Sequence, residues 1–554
     1  RQRWWPLYPQ RNSAVLKDDV MTSAKIRSAN HGRTCRPTIR QLSFRATLAL
    51  AVGMPALAAA NAQVTPATSN TQEVPFTVAR GSATFASSGN SGTVTQTTRR
   101  AVLDWSRILL QAGETLNFVQ PDSQSITLNR SSGPAAFQID GTINANGQVW
   151  LLNPNGTVIG ATGRVNAGGF LATTANIDAD AFMDSTGRFV FSGATEAAIT
   201  NYGQINVPSG YAVLAGRNVA NITSSTTNEA LISARLGKIA LGGGRAFTVD
   251  LDGNGLVSFL VADPAGATAA GATANFSNSV SNGGRIVADG GTILMTVRNA
   301  VDMIGGVINT KGILQAQTVN NIGGVITLDA GPTGQISVGV SSSSNTSVGN
   351  TSVGSIIDAT GSSGVNGGLI SLTAAGIDIG AASKLDVSGE SGGTINLVLP
   401  VNGAQPSQAV RAQKITMASG AQLFANAGSN GAGGNINLRG DLGNSQSSMR
   451  IAGILQADGG TNGGDGGTID IQAHTLDLQS IAASARAKAA SGFAGNINIA
   501  SASIDVVETI TTGGLLGDPA SMTPLSLDDD TVAAGVPLGF SFNYNDQNYT
   551  NVDV

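Results

Sequence analysis

Between residues 283 and 505 a short unit returns seven times. A Gly-Gly or Ala-Gly pair is followed by Ile, one variable residue and a second apolar residue. The instances are Ile293-Leu294-Met295, Ile326-Thr327-Leu328, Ile370-Ser371-Leu372, Ile395-Asn396-Leu397, Ile436-Asn437-Leu438, Ile469-Asp470-Ile471 and Ile497-Asn498-Ile499. Their spacings are 33, 44, 25, 41, 33 and 28 residues. Alternation at period two marks a half-buried strand, and the glycines mark a turn before it. A strand-plus-turn unit repeated at a loose period implies a solenoid with loops of varying length. The arrangement that satisfies every strand is an all-β parallel β-helix, in which each coil pairs its backbone with the coil below. With coils of roughly 20–25 residues, residues 63–505 would make about 20 coils. At about 4.8 Å per coil that is a rod on the order of 100 Å. Composition agrees: 72 Gly without a collagen period, 41% apolar residues, and only 12% charged and 5% aromatic residues.

The best-marked corner lies upstream, in Gly147-Gln148-Val149-Trp150-Leu151-Leu152-Asn153-Pro154-Asn155-Gly156-Thr157-Val158-Ile159-Gly160. Val149–Leu152 reads as a buried strand and Thr157–Ile159 as the next one. Between them stand four turn formers. Pro154 fixes φ and cannot donate to a ladder, Gly156 readily takes positive φ, and both Asn side chains can bond nearby backbone. Further strands are read at Leu103–Trp105, Ile108–Leu110, Thr115–Val119, Ser125–Asn129, Phe189–Phe191, Ile205–Val207, Tyr211–Ala215 and Lys238–Leu241. Phe247–Phe259 reads as a hairpin about Asn254-Gly255.

The chain opens on Arg1, with Met21 as an alternative start, and residues 1–62 carry ten Lys/Arg against two acidic residues. Arg36, Arg40 and Arg45 precede the apolar run Ala46–Met54, and Ala60-Asn61-Ala62 precedes Gln63. A basic region, a short apolar core and an A-x-A site describe a secretory signal peptide cleaved before Gln63. The apolar core is too short to span a bilayer. Cys35 is the only cysteine and falls in this prefix, so the exported chain would hold no disulfide. The prefix carries +8 and the remainder −12, which gives no basic face for nucleic acid. The expected domains are residues 1–62, 63–260, 261–511 and 512–554. The last joins a linker with Pro519, Pro524, Pro537 and Asp528–Asp530 to the first strands of a β-sandwich-like module at Phe540, Phe542, Tyr544 and Tyr549.

Around the corner the sequence resembles the N-terminal secretion domain of the filamentous haemagglutinin family. These are the exported partners of two-partner secretion, high-molecular-weight adhesins among them. The resemblance lies in Ile108–Val119 with Gln111-Ala112-Gly113-Glu114-Thr115, in Ile126–Arg130, in Asp140–Asn144 and above all in Gly147–Ile177, and it runs to about residue 260. A second Asn-Pro turn of the family aligns with Gly133-Pro134-Ala135-Ala136, where the Pro stands and the Asn does not. The resemblance implies a right-handed parallel β-helix. It also implies an outer-membrane transporter partner with periplasmic recognition domains and a barrel, and a role in export and fold nucleation for Asn153, Pro154, Asn155 and Gly156. The destination would be the surface or surroundings of a Gram-negative cell.

Other chemistry has little to build on. Asp250, Asp252, Asn254 and Gly255 match the start of a calcium loop, but Val261 stands where its twelfth-position Glu belongs and no helices flank it. Gly463-Gly464-Asp465-Gly466-Gly467 has the look of a calcium β-roll but occurs once. One histidine, His474, follows the prefix, which leaves no zinc site or His-based triad. Asp358, Asp378 and Asp386 sit beside Gly and Ser and read as surface caps. No metal, cofactor or catalytic residue is therefore expected. The expected function is a non-enzymatic adhesin with an unidentified glycan or protein receptor. The alternatives are a cytolysin or toxin carrier of the same secretion family, and a polysaccharide-degrading enzyme on a β-helix.

Overall fold

The computed structural model describes residues 75–208, 210–224, 228–251, 279–297, 307–319, 322–340, 354–400 and 412–506. It adds the backbone of three strands, Thr511–Thr512, Val536–Tyr544 and Gln547–Val552. The proposed signal peptide, with Ala60, Ala62 and Gln63, lies outside these residues, as do Asp252, Asn254 and Gly255 of the calcium-like loop.

Residues from Ala62 onward form one unit, and its described part is a parallel β-helix with three sheets. The first sheet begins with Arg100–Trp105, Ile126–Ser131, Gln148–Leu152, Gly169–Thr173, Tyr211–Gly216 and Lys238–Gly243. It continues through the repeat strands to Asn496. The second sheet rises from Leu109–Leu110 through Phe137–Ile139, Thr157–Ile159 and Ala198–Asn201. The third rises from Ser91–Gln96 through Thr115–Val119, Thr142–Ala145 and Arg164–Asn166. Longer strands such as Thr468–Ser484 bend round the corners and serve more than one sheet. At the N-terminal end the ladder is closed by antiparallel pairs, Phe76–Arg80 on Arg100–Trp105 and Ala83–Ser88 on Ser91–Gln96. Covering an open edge in this way removes a template for unwanted pairing.

The repeat read from the sequence is the spine of the first sheet. Ile293, Ile326, Ile370, Ile395, Ile436, Ile469 and Ile497 pair in direct register, each on the next. The first six are fully buried. The glycine two residues before each of these isoleucines is obligatory, because a Cβ there would run into a backbone carbonyl oxygen, and in some pairs the first glycine is obligatory too. A Cβ on Gly433 would lie 2.1 Å from the Ala457 carbonyl oxygen, and one on Gly434 2.0 Å from that of Gly393. The next pair repeats this, with Gly466 2.0 Å from Ala485 O and Gly467 2.0 Å from Gly434 O. Two backbones cross where a side chain would stand, so only glycine fits.

Three expectations change. Among the described residues the first sheet holds thirteen strands from Arg100 to Asn496, against about 20 expected coils. At about 4.8 Å per step that stack is about 60 Å long. Successive strands start 21 residues apart at 148 and 169 but 54 apart at 238 and 292. The strands at 238 and 292 still pair directly, so the longer separation adds no rung to this sheet. Second, Phe247–Asp250 pairs antiparallel with Arg188–Phe191, some sixty residues earlier, a partner the sequence did not suggest; the other arm of the expected hairpin lies outside the described residues. Third, a short helix, Ala179–Asp184, stands in a stretch to which no element had been assigned, in a chain read as strands and turns. Asp178 caps it, its Oδ1 accepting from Asp180 N at 3.0 Å and Ala181 N at 2.9 Å.

The ladder crosses residue 260 without a break in the first sheet, because Lys238–Gly243 pairs with Thr292–Thr296. Near the C-terminus Val536–Tyr544 pairs in parallel with Asn496–Val506 and antiparallel with Gln547–Val552. The linker expected ahead of it lies almost wholly outside the described residues.

Candidate functional site

The corner Asn153-Pro154-Asn155-Gly156 joins the first sheet to the second, between Gln148–Leu152 and Thr157–Ile159. Gly156 N donates to Asn153 O at 2.9 Å, closing a four-residue turn. Asn at its first position, Pro at its second and Gly at its fourth suit a type I turn. Asn155 is not among the residues of positive φ, so the turn is not type II. The Asn153 side chain folds back inside it, its Oδ1 accepting from Asn155 N at 2.9 Å. Gly156 carries φ +96°, and a Cβ there would meet Ala198 O at 2.6 Å.

The corner is bound to the coils on both sides. Towards the N-terminus, Asn153 Nδ2 donates to Ala135 O at 2.9 Å and Asn155 Nδ2 to Gly133 O at 3.1 Å. These carbonyls belong to the upstream turn that lacks its Asn. A Cβ on Gly133 would sit 2.2 Å from Ser106 O, so that position has no room for an asparagine. Towards the C-terminus, Asn153 N donates to Thr173 O at 3.0 Å, and the Thr195 hydroxyl donates to Pro154 O. Asn153 is wholly buried, while Pro154 and Asn155 are exposed. The same four residues thus have a structural inside and a solvent-facing tip.

The strand leading into the corner is buried on both faces. Val149 and Leu151 join the interior of the coil stack, and Trp150 and Leu152 join a second cluster outside it. That cluster is roofed by residues 174–197, the excursion that carries the short helix. Trp150 meets Phe182 at 5.6 Å and Phe189 at 4.7 Å between ring centres, and Phe191 stacks on Phe247 at 4.7 Å. Trp150 Nε1 donates to Tyr211 Oη at 2.8 Å, and Tyr211 in turn donates to Gln148 Oε1. Burial pushes the Tyr211 hydroxyl far above the ordinary phenol range. At its lower edge the excursion is tied down by Arg100, which lies 5.2 Å over the Phe189 ring and donates to Phe182 O at 2.9 Å and Met183 O at 2.8 Å. Arg80 of the closing strand pairs with Asp180 at 2.6 Å.

Strand reading alone missed this roof. Its signal was the aromatic group Phe182, Phe189 and Phe191 in a chain with so few aromatics, together with Asp178 as an N-cap ahead of Ala-Asp-Ala-Phe.

The remaining candidates resolve into turn chemistry. Asp358 Oδ1 accepts from Thr360 N at 3.0 Å, and Asp386 Oδ1 from Ser388 N at 2.9 Å. Asp386 is not a surface cap, being 8% exposed and paired with Lys384 Nζ at 2.7 Å. Asp465 Oδ1 accepts from Phe493 N at 2.8 Å within a stack of glycine-rich loops. His474 Nδ1 lies 2.8 Å from Leu442 O. Among the described residues no group of three His, Cys, Asp or Glu is placed to hold a metal ion. No helix among them is long and apolar enough to cross a membrane.

Comparison with known proteins agrees with this geometry. Two heme/hemopexin-binding proteins of Haemophilus influenzae are 37% identical over 98 residues and 36% identical over 86 residues. These stretches are 18% and 16% of this chain but only 11% and 9% of those proteins. The crystal structure of the HMW1 secretion domain from Haemophilus influenzae superposes with a TM-score of 0.58 at 24% identity, covering 76% of this chain and 99% of that one. That likeness speaks for the fold. The profile of the TPS secretion domain matches residues 62–340, half of the chain. The protein therefore belongs to the TPS secretion domain family, the exported partners of two-partner secretion that pass the periplasm and leave through an outer-membrane transporter.

Proposed function

We propose that the protein is a non-enzymatic adhesin and that the Asn153–Gly156 corner serves its export by nucleating the first coils. The observation that carries the second part is the bonding of the corner. Its two carboxamides reach carbonyls one coil back, and its backbone is held one coil ahead. A chain emerging N-terminus first would set the register of later coils here, because each coil contacts only its neighbours. The adhesin part is supported by the long stack of coils, cysteine-free in sequence after the prefix, which offers an extended surface. Its receptor would be a glycan or protein on a host or other surface, met outside the cell after signal-peptide removal before Gln63.

The test is co-expression of the chain with its own transporter, followed by the amount and protease resistance of exported protein. Replacing Asn153 and Asn155 together by Ala should reduce both. Export and folding equal to the parent would show that the corner has no such role.

A second reading comes from the relatives named for heme and hemopexin binding. Titration of the exported chain with haem and with haem-loaded hemopexin separates the two. Saturable capture would favour that reading over adhesion.

A further inference from the structure

The outer face of the third sheet carries a row of asparagines with no part in the corner or its roof. Asn117, Asn144, Asn166 and Asn206 hold the same register position on four successive coils. Alternation sends Leu116, Ile143, Val165 and Ile205 into the core and turns these carboxamides outward. Asn117 Nδ2 donates to Ser91 Oγ at 3.0 Å, Asn144 Nδ2 to Asn117 Oδ1 at 3.1 Å, and Asn166 Nδ2 to Asn144 Oδ1 at 3.0 Å. Each of these links uses one of the two N–H groups on its Nδ2 and leaves a second donor on the same amide. Asn206 ends the row, exposed at its rim.

Beside the row, the corner leading back to the first sheet raises a wall. Val119, Asn146, Gly168 and Pro208 belong to it, and Val119 is 50% exposed. Row and wall border a shallow, open groove of about 770 Å³. An asparagine ladder alone would serve coil stacking. It would not need a groove beside it or an apolar wall left open to water. No residue lining the groove is charged, so nothing there complements an anionic or cationic chain. What it offers is amide donors and acceptors repeated at about 4.8 Å along the stack, with aliphatic surface alongside.

We infer that this groove binds an uncharged oligosaccharide lying along the coil stack. Its hydroxyls pair with the carboxamide row, and the C–H faces of its rings rest on Val119 and Pro208. This names the receptor class and so rests on the adhesin reading. The ladder pre-orders the carboxamides, which lowers the entropy lost on binding.

The test uses the full exported chain on an array of neutral and acidic oligosaccharides, with titration calorimetry on the hits. Asn206→Lys and Val119→Asp change the groove while leaving the Asn117–Asn144–Asn166 links intact. The expected result is binding to neutral oligosaccharides that weakens about tenfold or more in both variants, with unchanged thermal unfolding midpoints. No neutral binding at millimolar ligand, binding confined to acidic oligosaccharides, or affinity undiminished in both variants would overturn it. Host-cell adherence of the same samples separates the two ideas. Adherence without neutral binding removes the groove and keeps the adhesin reading. Neutral binding without adherence does the reverse.

Discussion

The Asn153 carboxamide, wholly buried, donates to the Ala135 carbonyl at 2.9 Å, one coil back along the chain. The donor sits in the turn that has its asparagines, and the acceptor in the turn that has lost one. A single side chain thus joins two corners that the sequence separates by eighteen residues.

Replacing Asn153 by Ala should therefore destabilise the chain by roughly 1–2 kcal/mol, since a half-buried carbonyl loses its donor and the turn its internal cap. Asn155→Ala, at an exposed side chain, should cost less than about 1 kcal/mol. Urea unfolding of both variants checks the order. Equal costs would mean that the link to Ala135 contributes little.

Phe189→Ala should cost about 3–5 kcal/mol, because its ring fills the space between Trp150 and the Arg100 guanidinium. Trp150 should also become accessible to a collisional fluorescence quencher. Val190→Ala is the control. Its side chain points away from the cluster and is 58% exposed, so the change should stay within about 0.5 kcal/mol.

The glycines divide into two classes by the space around them. Gly433→Ala forces a methyl to within 2.1 Å of Ala457 O, and Gly466→Ala does the same against Ala485 O at 2.0 Å. Neither obstacle is a flexible side chain, so coils must separate, at a cost of several kcal/mol. Gly283→Ala meets nothing within 4 Å and has no positive φ. It should be neutral or slightly stabilising. Melting temperatures of the three variants would show the contrast.

Alkaline stability follows from Tyr211. Its hydroxyl is raised by burial in the folded state, while in the unfolded chain it ionises near pH 10, about the model tyrosine value. A group raised on folding contributes stability that is fully present below its unfolded pKa and is lost as pH rises above it. The fall begins near pH 10, at up to about 1.4 kcal/mol per pH unit for one proton. Tyr211→Phe should lower stability at pH 7 by removing the bonds to Trp150 and Gln148, yet flatten this alkaline decline by one proton. Denaturant titrations between about pH 8 and pH 11 measure both effects.

The sequence by itself determined the β-helix. Ile293 to Ile497 and the glycine two residues before each state a local requirement, an inward apolar residue and a bare backbone, and a stack of parallel coils is what meets it seven times over. The turn at Asn153–Gly156 was legible for the same reason, since Pro and Gly act through their own φ. The tertiary structure alone decided which distant residues meet. Loops of unequal length between coils break the link between separation in sequence and separation in space. The coil number, the pairing of Phe247–Asp250 with Arg188–Phe191 and the roof over Trp150 therefore left no period to read. The bond from Asn153 to Ala135 depends on one coil lying squarely on another, a relation between two corners that neither corner encodes alone.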